Sequence, residues 1–187
     1  MCIVCKNKAL QFAERFKYLY CERCPLLTTI PNIEGLKRLN CYDCPLLTTI
    51  PYIKELESLT ITNCKLITTI PIIERIEEIN CSYCSLITYI PNIINLKELV
   101  CDSCPLLTSI PNLKRLQFLV CFRCPLITYI PNIIELKRLC CYDCPSLITI
   151  PYIEKLKKIN CENCPLLMYI PKIYDILYDK DLLKSPY

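Results

Sequence analysis

The sequence repeats itself every 20 residues, and this period limits the possible folds more than any other feature of the chain. From Phe16 onward an isoleucine followed by a proline returns at every step, first as Ile30-Pro31 and last as Ile170-Pro171. When the units are stacked, near-identical residues form columns. A fixed period of this length indicates one structural unit that is repeated along a single axis.

Each unit predicts one short strand. In the unit 36–55 the apolar residues Leu36, Leu39 and Cys41 are spaced by three and then by two, which favours a strand with one face directed inward. We place strands near 17–22 and at each 20-residue step to 157–162.

The rest of each unit predicts a return without a long helix. A proline follows the isoleucine that returns every 20 residues, and only about a dozen residues remain to reach the next strand. We expect an extended, polyproline-like segment or a single 3₁₀ turn. Parallel strands joined in this way form a solenoid whose ends need caps. The expected organisation is an N-terminal cap at 1–15, about eight turns over 16–173 and a C-terminal cap at 174–187, with short helices in the caps.

Several functions are disfavoured by residues that the sequence lacks. It has no histidine and one glycine, Gly35, so it offers no imidazole base or ligand and no glycine-rich phosphate loop. The net charge of +4 is too small for a nucleic-acid-binding surface. No carboxylate pair or activated nucleophile stands out. We therefore expect no enzyme activity, no cofactor and no nucleic-acid partner.

The location expected from the sequence is the cytoplasm. No apolar stretch is long enough for a signal peptide or a membrane-spanning helix, so we expect neither export nor a membrane partner. The 18 cysteines are then expected to be reduced thiols instead of disulfides.

The repeat pattern L-x-x-L-x-C-x-x-C-P-x-L-x-x-I-P-x-I-x-x resembles that of the leucine-rich repeat family. The resemblance covers nearly the whole chain and implies a curved parallel sheet on the concave side, extended or 3₁₀ convex segments, and protein binding. The unit is shorter than usual and has cysteine where the strand usually has leucine, as at Cys41 and Cys141. Short units resemble those of bacterial effectors, and the C-x-x-C-P and I-P blocks resemble repeat proteins of mimivirus-type giant viruses.

The cysteine pairs allow two interpretations. Repeated C-x-x-C motifs suggest a metal-binding or redox protein, since four cysteines can hold a zinc ion. The alternative is that both thiols of each pair are small buried apolar groups. Ile61 replaces one cysteine of the column, so at least one turn does without a supposed ligand. A zinc ion would also impose its tetrahedral geometry on an otherwise regular ladder. We therefore favour buried thiols and no metal. Cys140 lies out of that column, and we expect it to be the most accessible thiol.

The outward strand positions predict a binding surface. Their charges are acidic in the middle turns and basic at both ends, and aromatic residues gather in turns six and seven. The residues expected to contact a partner are Tyr18, Tyr42, Glu78, Glu98, Asp102, Phe118, Val120, Phe122, Arg138 and Tyr142. A threonine column that includes Thr29 and Thr49 is instead expected to satisfy backbone groups between turns.

These observations predict a non-catalytic scaffold for protein–protein interaction, with a host or viral protein as partner. If the chain is viral, the expected location is the host cytoplasm. The alternative is a metal-binding or redox protein that uses the C-x-x-C ladder. Self-association is a further possibility, through open solenoid ends or through the convex residues Ile72, Ile94 and Ile134.

Overall fold

The computed structural model describes residues 17–170. The expected caps at 1–15 and 174–187 lie outside this range. Within it, eight strands form one sheet in the order of the chain, and every neighbouring pair is parallel. The strands are β1 (Tyr18–Glu22), β2 (Arg38–Tyr42), β3 (Ser58–Thr62), β4 (Glu78–Asn80), β5 (Glu98–Val100), β6 (Phe118–Val120), β7 (Arg138–Cys140) and β8 (Lys158–Asn160).

The strand register follows the sequence period. Leu39 lies beside Leu19 and Leu59, so residues 20 apart are direct neighbours. The first three strands have five residues and the other five have three. The expected six-residue strands are therefore too long, although the hydrogen bonds between turns continue past β4 to β8. In turn five, for example, the N–H of Ser103 donates to the carbonyl of Phe122 over 3.0 Å.

A residue with positive φ follows each strand, and the sequence did not reveal it. The φ values lie between 46° and 60°. The eight residues are Arg23, Asp43, Asn63, Tyr83, Ser103, Arg123, Asp143 and Asn163. Asparagine and aspartate enter this left-handed region more readily than other non-glycine residues, and they fill half of the column. This geometry turns the chain out of the sheet without a glycine.

The return path consists of turns and extended segments, with no helix among the described residues. In the first turn of the solenoid the N–H of Leu27 donates to the carbonyl of Cys24, and that of Leu36 donates to the carbonyl of Ile33. Pro25 occupies the second position of the first of these β-turns, where its fixed φ is favourable. The extended part of the predicted return is confirmed, and the 3₁₀ turn is absent from the described residues.

The core is a single column of apolar side chains that runs the length of the solenoid. Around one turn the buried positions recur every third residue, as at Cys24, Leu27, Ile30, Ile33 and Leu36. Each set lies directly against the equivalent residues of the turns above and below. This stacking explains why the columns vary so little, because each side chain must fit between two copies of itself.

Candidate protein-binding surface

The solvent-facing side of the eight-stranded sheet, here called the sheet face, presents three outward residues in each turn. In β1 these are Tyr18, Tyr20 and Glu22, which alternate with the buried Leu19 and Cys21. Because residues 20 apart are register neighbours, the outward residues form columns across the sheet. Two columns run through all eight strands, and hydrogen bonds between turns continue the third beyond β3. The alternation places all ten predicted contact residues on this face, but their accessibility differs greatly.

At the N-terminal end the sheet face exposes a group of tyrosines. The side chains of Tyr18, Tyr20 and Tyr42 are 64%, 57% and 40% exposed. The guanidinium carbon of Arg38 lies 5.9 Å from the centre of the Tyr18 ring, within the range of a cation–π contact. These four residues, the tyrosine patch, combine large apolar area with polar tips on rigid strands, which suits a protein interface.

At the other end the expected exposed cluster is instead a second, smaller core. Val120, Phe122 and Cys140 are only 6%, 9% and 1% exposed. They pack with Val100, Phe118 and Tyr142, which are partly buried. The expectation that Val120 and Phe122 stand free on the sheet face is wrong, because large side chains on adjacent strands cover one another.

Ring contacts hold this cluster together. The rings of Phe122 and Tyr142 are stacked, with centres 4.4 Å apart and planes 12° from parallel. The guanidinium of Arg123 lies 5.0 Å from the Phe122 ring, and that of Arg138 lies 4.6 Å from the Phe118 ring. Both arginines remain exposed. The outermost groups over the cluster are therefore cationic and not apolar.

Asp102 is also buried, which contradicts its expected place among the exposed contacts. Its side chain accepts a hydrogen bond of 2.8 Å from the hydroxyl of Ser103, and its Oδ1 lies 3.8 Å from Nε of Arg123. Burial raises the pKa of this carboxyl, and the hydrogen bonds from Ser103 and Tyr83 and the charge of Arg123 oppose that effect. Asp102 thus anchors Arg123 above the cluster.

Cys140 is not the accessible thiol that its column suggested. Val120 is its register neighbour, and its side chain is almost completely covered. Burial raises the pKa of this thiol to about 12. A protonated, covered thiol is a poor nucleophile and a poor metal ligand.

The charged residues of the sheet margin pair between turns. The amine of Lys37 lies 2.5 Å from Glu57, and that of Lys97 lies 2.7 Å from Glu77. Each pair joins residues 20 apart in one column, as the register requires. Beside this column, Glu78 and Glu98 are register neighbours on β4 and β5 and are half-buried. The centre of the sheet face is therefore acidic, as the sequence indicated.

The paired cysteines form a ladder of thiol–carbonyl hydrogen bonds inside the core. Cys124 donates to the carbonyl of Cys101 over 3.1 Å, and Cys144 donates to the carbonyl of Cys121 over 3.1 Å. The same kind of hydrogen bond, from a thiol to the carbonyl 23 residues earlier, is present in every turn from Cys44 to Cys164. Each thiol donates a hydrogen bond to a buried carbonyl, which alanine or valine could not do, and this explains cysteine in the column.

The ladder also bears on the proposed metal sites. Burial is the main cause that raises the pKa of the Cys144 thiol to about 12 and holds that of Cys121 well above its usual range. Between residues 17 and 170, no three cysteine or carboxylate side chains are arranged to hold one metal ion. The inward direction predicted for the ladder thiols is confirmed from Cys21 to Cys144 by their burial, and Cys161 and Cys164 are partly buried.

The threonine column that stabilises the return path lies one residue before the expected one. The hydroxyl of Thr48 donates to the carbonyl of Thr28 over 3.2 Å, and that of Thr108 donates to the carbonyl of Thr88. Thr29 and Thr49 instead form a backbone bridge. The expected role is thus present, but the hydroxyls that perform it are in the neighbouring column.

Sequence reasoning missed the residues that surround the second core. Arg123, Tyr83 and Ser103 belong to the positive-φ column, which the sequence pattern did not link to the sheet face. One signal was present: Phe122 and Tyr142 are 20 residues apart, so the period alone makes them neighbours able to stack.

Among residues 17–170 the structure has no helix long and apolar enough to cross a membrane.

Comparison with known proteins supports the fold but supplies no family. No protein-family model and no curated protein matches this sequence. Among solved structures, the chain is similar to the leucine-rich repeat domain of the type III effector XopL, with a TM-score of 0.67 and 19% sequence identity. The match covers 87% of this chain and 74% of that one. The protein therefore has the architecture of a leucine-rich repeat solenoid, with eight parallel strands and extended returns.

Proposed function

We propose that the protein is a non-catalytic scaffold that binds a partner protein through the sheet face. Solenoids of this architecture present an extended, rigid surface that is suited to recognition of other proteins. The tyrosine patch is the observation that carries the proposal, because exposed aromatic and arginine side chains supply most of the binding energy in protein interfaces.

The proposed contacts follow from accessibility. Tyr18 and Tyr42 would bind at the N-terminal end of the sheet face, and Glu78 and Glu98 would bind at its centre. Arg138, above the Phe118 ring, would contact the partner at the other end. Phe122 and its buried neighbours support this surface from below instead of touching the partner. The partner expected from this arrangement has a basic segment opposite the acidic centre.

The alternative of a metal-binding or redox protein has weaker support. The ladder thiols donate hydrogen bonds to backbone carbonyls, and burial raises the pKa of Cys84 and Cys144. Both effects favour the protonated thiol, whereas metal binding and thiol exchange need the thiolate. We keep the cytoplasm, or the host cytoplasm for a viral protein, as the proposed location, because thiols persist in a reducing compartment.

Photo-crosslinking tests which face binds. A benzoylphenylalanine in place of Thr60, in the middle column of the sheet face, should form a discrete adduct with one protein in a host cytoplasmic extract. The same group in place of Lys114, which is exposed on the return path, is the matched control. An adduct from Lys114 and none from Thr60 would show that the sheet face is not the binding surface.

A further inference from the structure

One flank of the solenoid is almost free of charge. It consists of residues 25–29 and their equivalents in the other seven turns, at the start of the return path, and is here called the leucine flank. Lys65 is its single charged residue. By contrast, the segments equivalent to 34–38 carry two to four charged residues in each of the first seven turns. The charged residues of the chain therefore lie mainly on other faces of the solenoid.

The leucine flank is also apolar and exposed. One of its columns has leucine in seven of eight turns, with side chains between 38% and 81% exposed. The leucines are Leu26, Leu46, Leu66, Leu86, Leu106, Leu126 and Leu166, and Ser146 takes the remaining place. A row of exposed leucines over six consecutive turns is unusual on a monomeric protein and indicates a contact surface.

The area of this flank is sufficient for a specific interface. Eight turns at about 4.8 Å give a length of about 38 Å. The five residues of each turn, two in a β-turn and three beyond it, give a width of at most about 16 Å, the value for a fully extended segment. Each flank then offers at most about 600 Å², and two of them bury at most about 1,200 Å², the lower end of the range for specific complexes. Because burial of an unpaired charge is costly, the partner surface must leave no charged side chain without an opposite charge in the interface.

We propose that the leucine flank is the interface between two copies of this chain, packed with their solenoid axes antiparallel. A second leucine flank is itself almost free of charge, so the two surfaces match. In the antiparallel dimer turn three of one copy faces turn six of the other, which places Lys65 opposite Pro125. Parallel packing would hold the two Lys65 amines at the same level, where they repel. Antiparallel packing separates them by three turns, or about 14 Å, beyond the screening length of about 8 Å.

This interface is independent of the sheet face. The tyrosine patch lies on the strands, whereas the leucine flank lies beyond the C-x-x-C turn, on the return path. A dimer would therefore present two sheet faces, and a partner with two copies of the recognised surface would bind more tightly through avidity.

Analytical ultracentrifugation in a reducing buffer tests the dimer. The wild-type protein should sediment as a species of twice the 21.8 kDa protomer mass at micromolar concentration. Replacement of both Leu86 and Leu106 with glutamate places four carboxylates at the centre of the interface and should weaken dimerisation at least 100-fold. The matched control is Ile94→Glu with Ile134→Glu, which adds the same charge at exposed isoleucines away from the flank and should leave the dimer intact.

Two further variants test the antiparallel register. Pro125→Glu should tighten the dimer about tenfold, because the new carboxylate faces Lys65 of the other copy. Pro45→Glu, at the same position of another β-turn, faces no cation and should weaken it. A monomeric wild-type protein at 100 µM would overturn the proposal, as would dissociation by the isoleucine variant but not the leucine variant. Equal effects of the two proline variants would overturn the antiparallel arrangement.

Discussion

Replacement of Phe122 with alanine should lower the free energy of unfolding by about 3 kcal/mol. A fully buried phenylalanine typically contributes about 3–5 kcal/mol relative to alanine. Phe122 is 9% exposed and lies on the sheet face instead of between two layers, so we expect the lower part of this range. The stacked Tyr142 ring, 4.4 Å away, adds about 1 kcal/mol that is lost with the phenyl ring.

The matched control is Tyr42→Ala. Tyr42 occupies the same column of the sheet face as Phe122, but its side chain is 40% exposed. Its replacement should change the free energy of unfolding by less than about 1 kcal/mol, as is usual for a surface site. The two variants therefore compare residues of the same column, one inside the second core and one outside it.

Urea denaturation followed by circular dichroism measures the difference. The midpoints should shift at an unchanged m-value if both variants unfold as the wild type does. If the free energies of unfolding of the two variants differ by less than about 0.5 kcal/mol, the packing of Phe122 in a second core is refuted. Phe122 would then be a surface residue, as the sequence alone suggested.

Four further predictions concern the thiols and the positive-φ column. Cys104→Ala should cost about 1–3 kcal/mol, because the carbonyl of Cys81 loses its donor, and Cys104→Ser should recover part of this loss in the same urea assay. Maleimide labelling followed by mass spectrometry should modify the partly buried Cys161 well before Cys140, which is only 1% exposed and whose thiol has a pKa raised to about 12; faster labelling of Cys140 would contradict its burial. Because this pKa exceeds the unfolded value of about 8.5, the protonated thiol favours the folded state, and stability should fall as the pH rises from about 9 towards 12 in thermal melts. Arg23→Asn should raise stability by about 0.5–1 kcal/mol, since asparagine tolerates the φ of 46° at this exposed site; a loss would show that the Arg23 contact with Asp43 outweighs the strain.

The solenoid itself could be predicted from the sequence because its physical cause is the period. Residues 20 apart are neighbours in the register, so Leu39 and Cys41 had to enter a stacked core. The accessibility of the sheet face could not be read in the same way. Alternation shows which side a residue faces, whereas burial of Val120 and Cys140 depends on the size of side chains on both adjacent strands.

The positive-φ column escaped prediction for a different reason. Backbone strain at Tyr83 and Arg123 is imposed by the turns above and below, which repeat the same path. Local residue preference favours this conformation only at positions such as Asn63. The stacked solenoid therefore determines a backbone state that single residues do not specify.

The affinity of the crosslinked partner for tyrosine variants tests most directly whether the sheet face is the binding surface. Isothermal titration calorimetry should show binding weakened about 30-fold or more by Tyr18→Ala with Tyr42→Ala, the effect of losing about 2 kcal/mol of contact. Tyr52→Ala with Tyr152→Ala removes two tyrosines that are similarly exposed on the return path and should leave the affinity unchanged. An unchanged affinity for the Tyr18 and Tyr42 variant, or an equal loss for both variants, would contradict recognition through the sheet face.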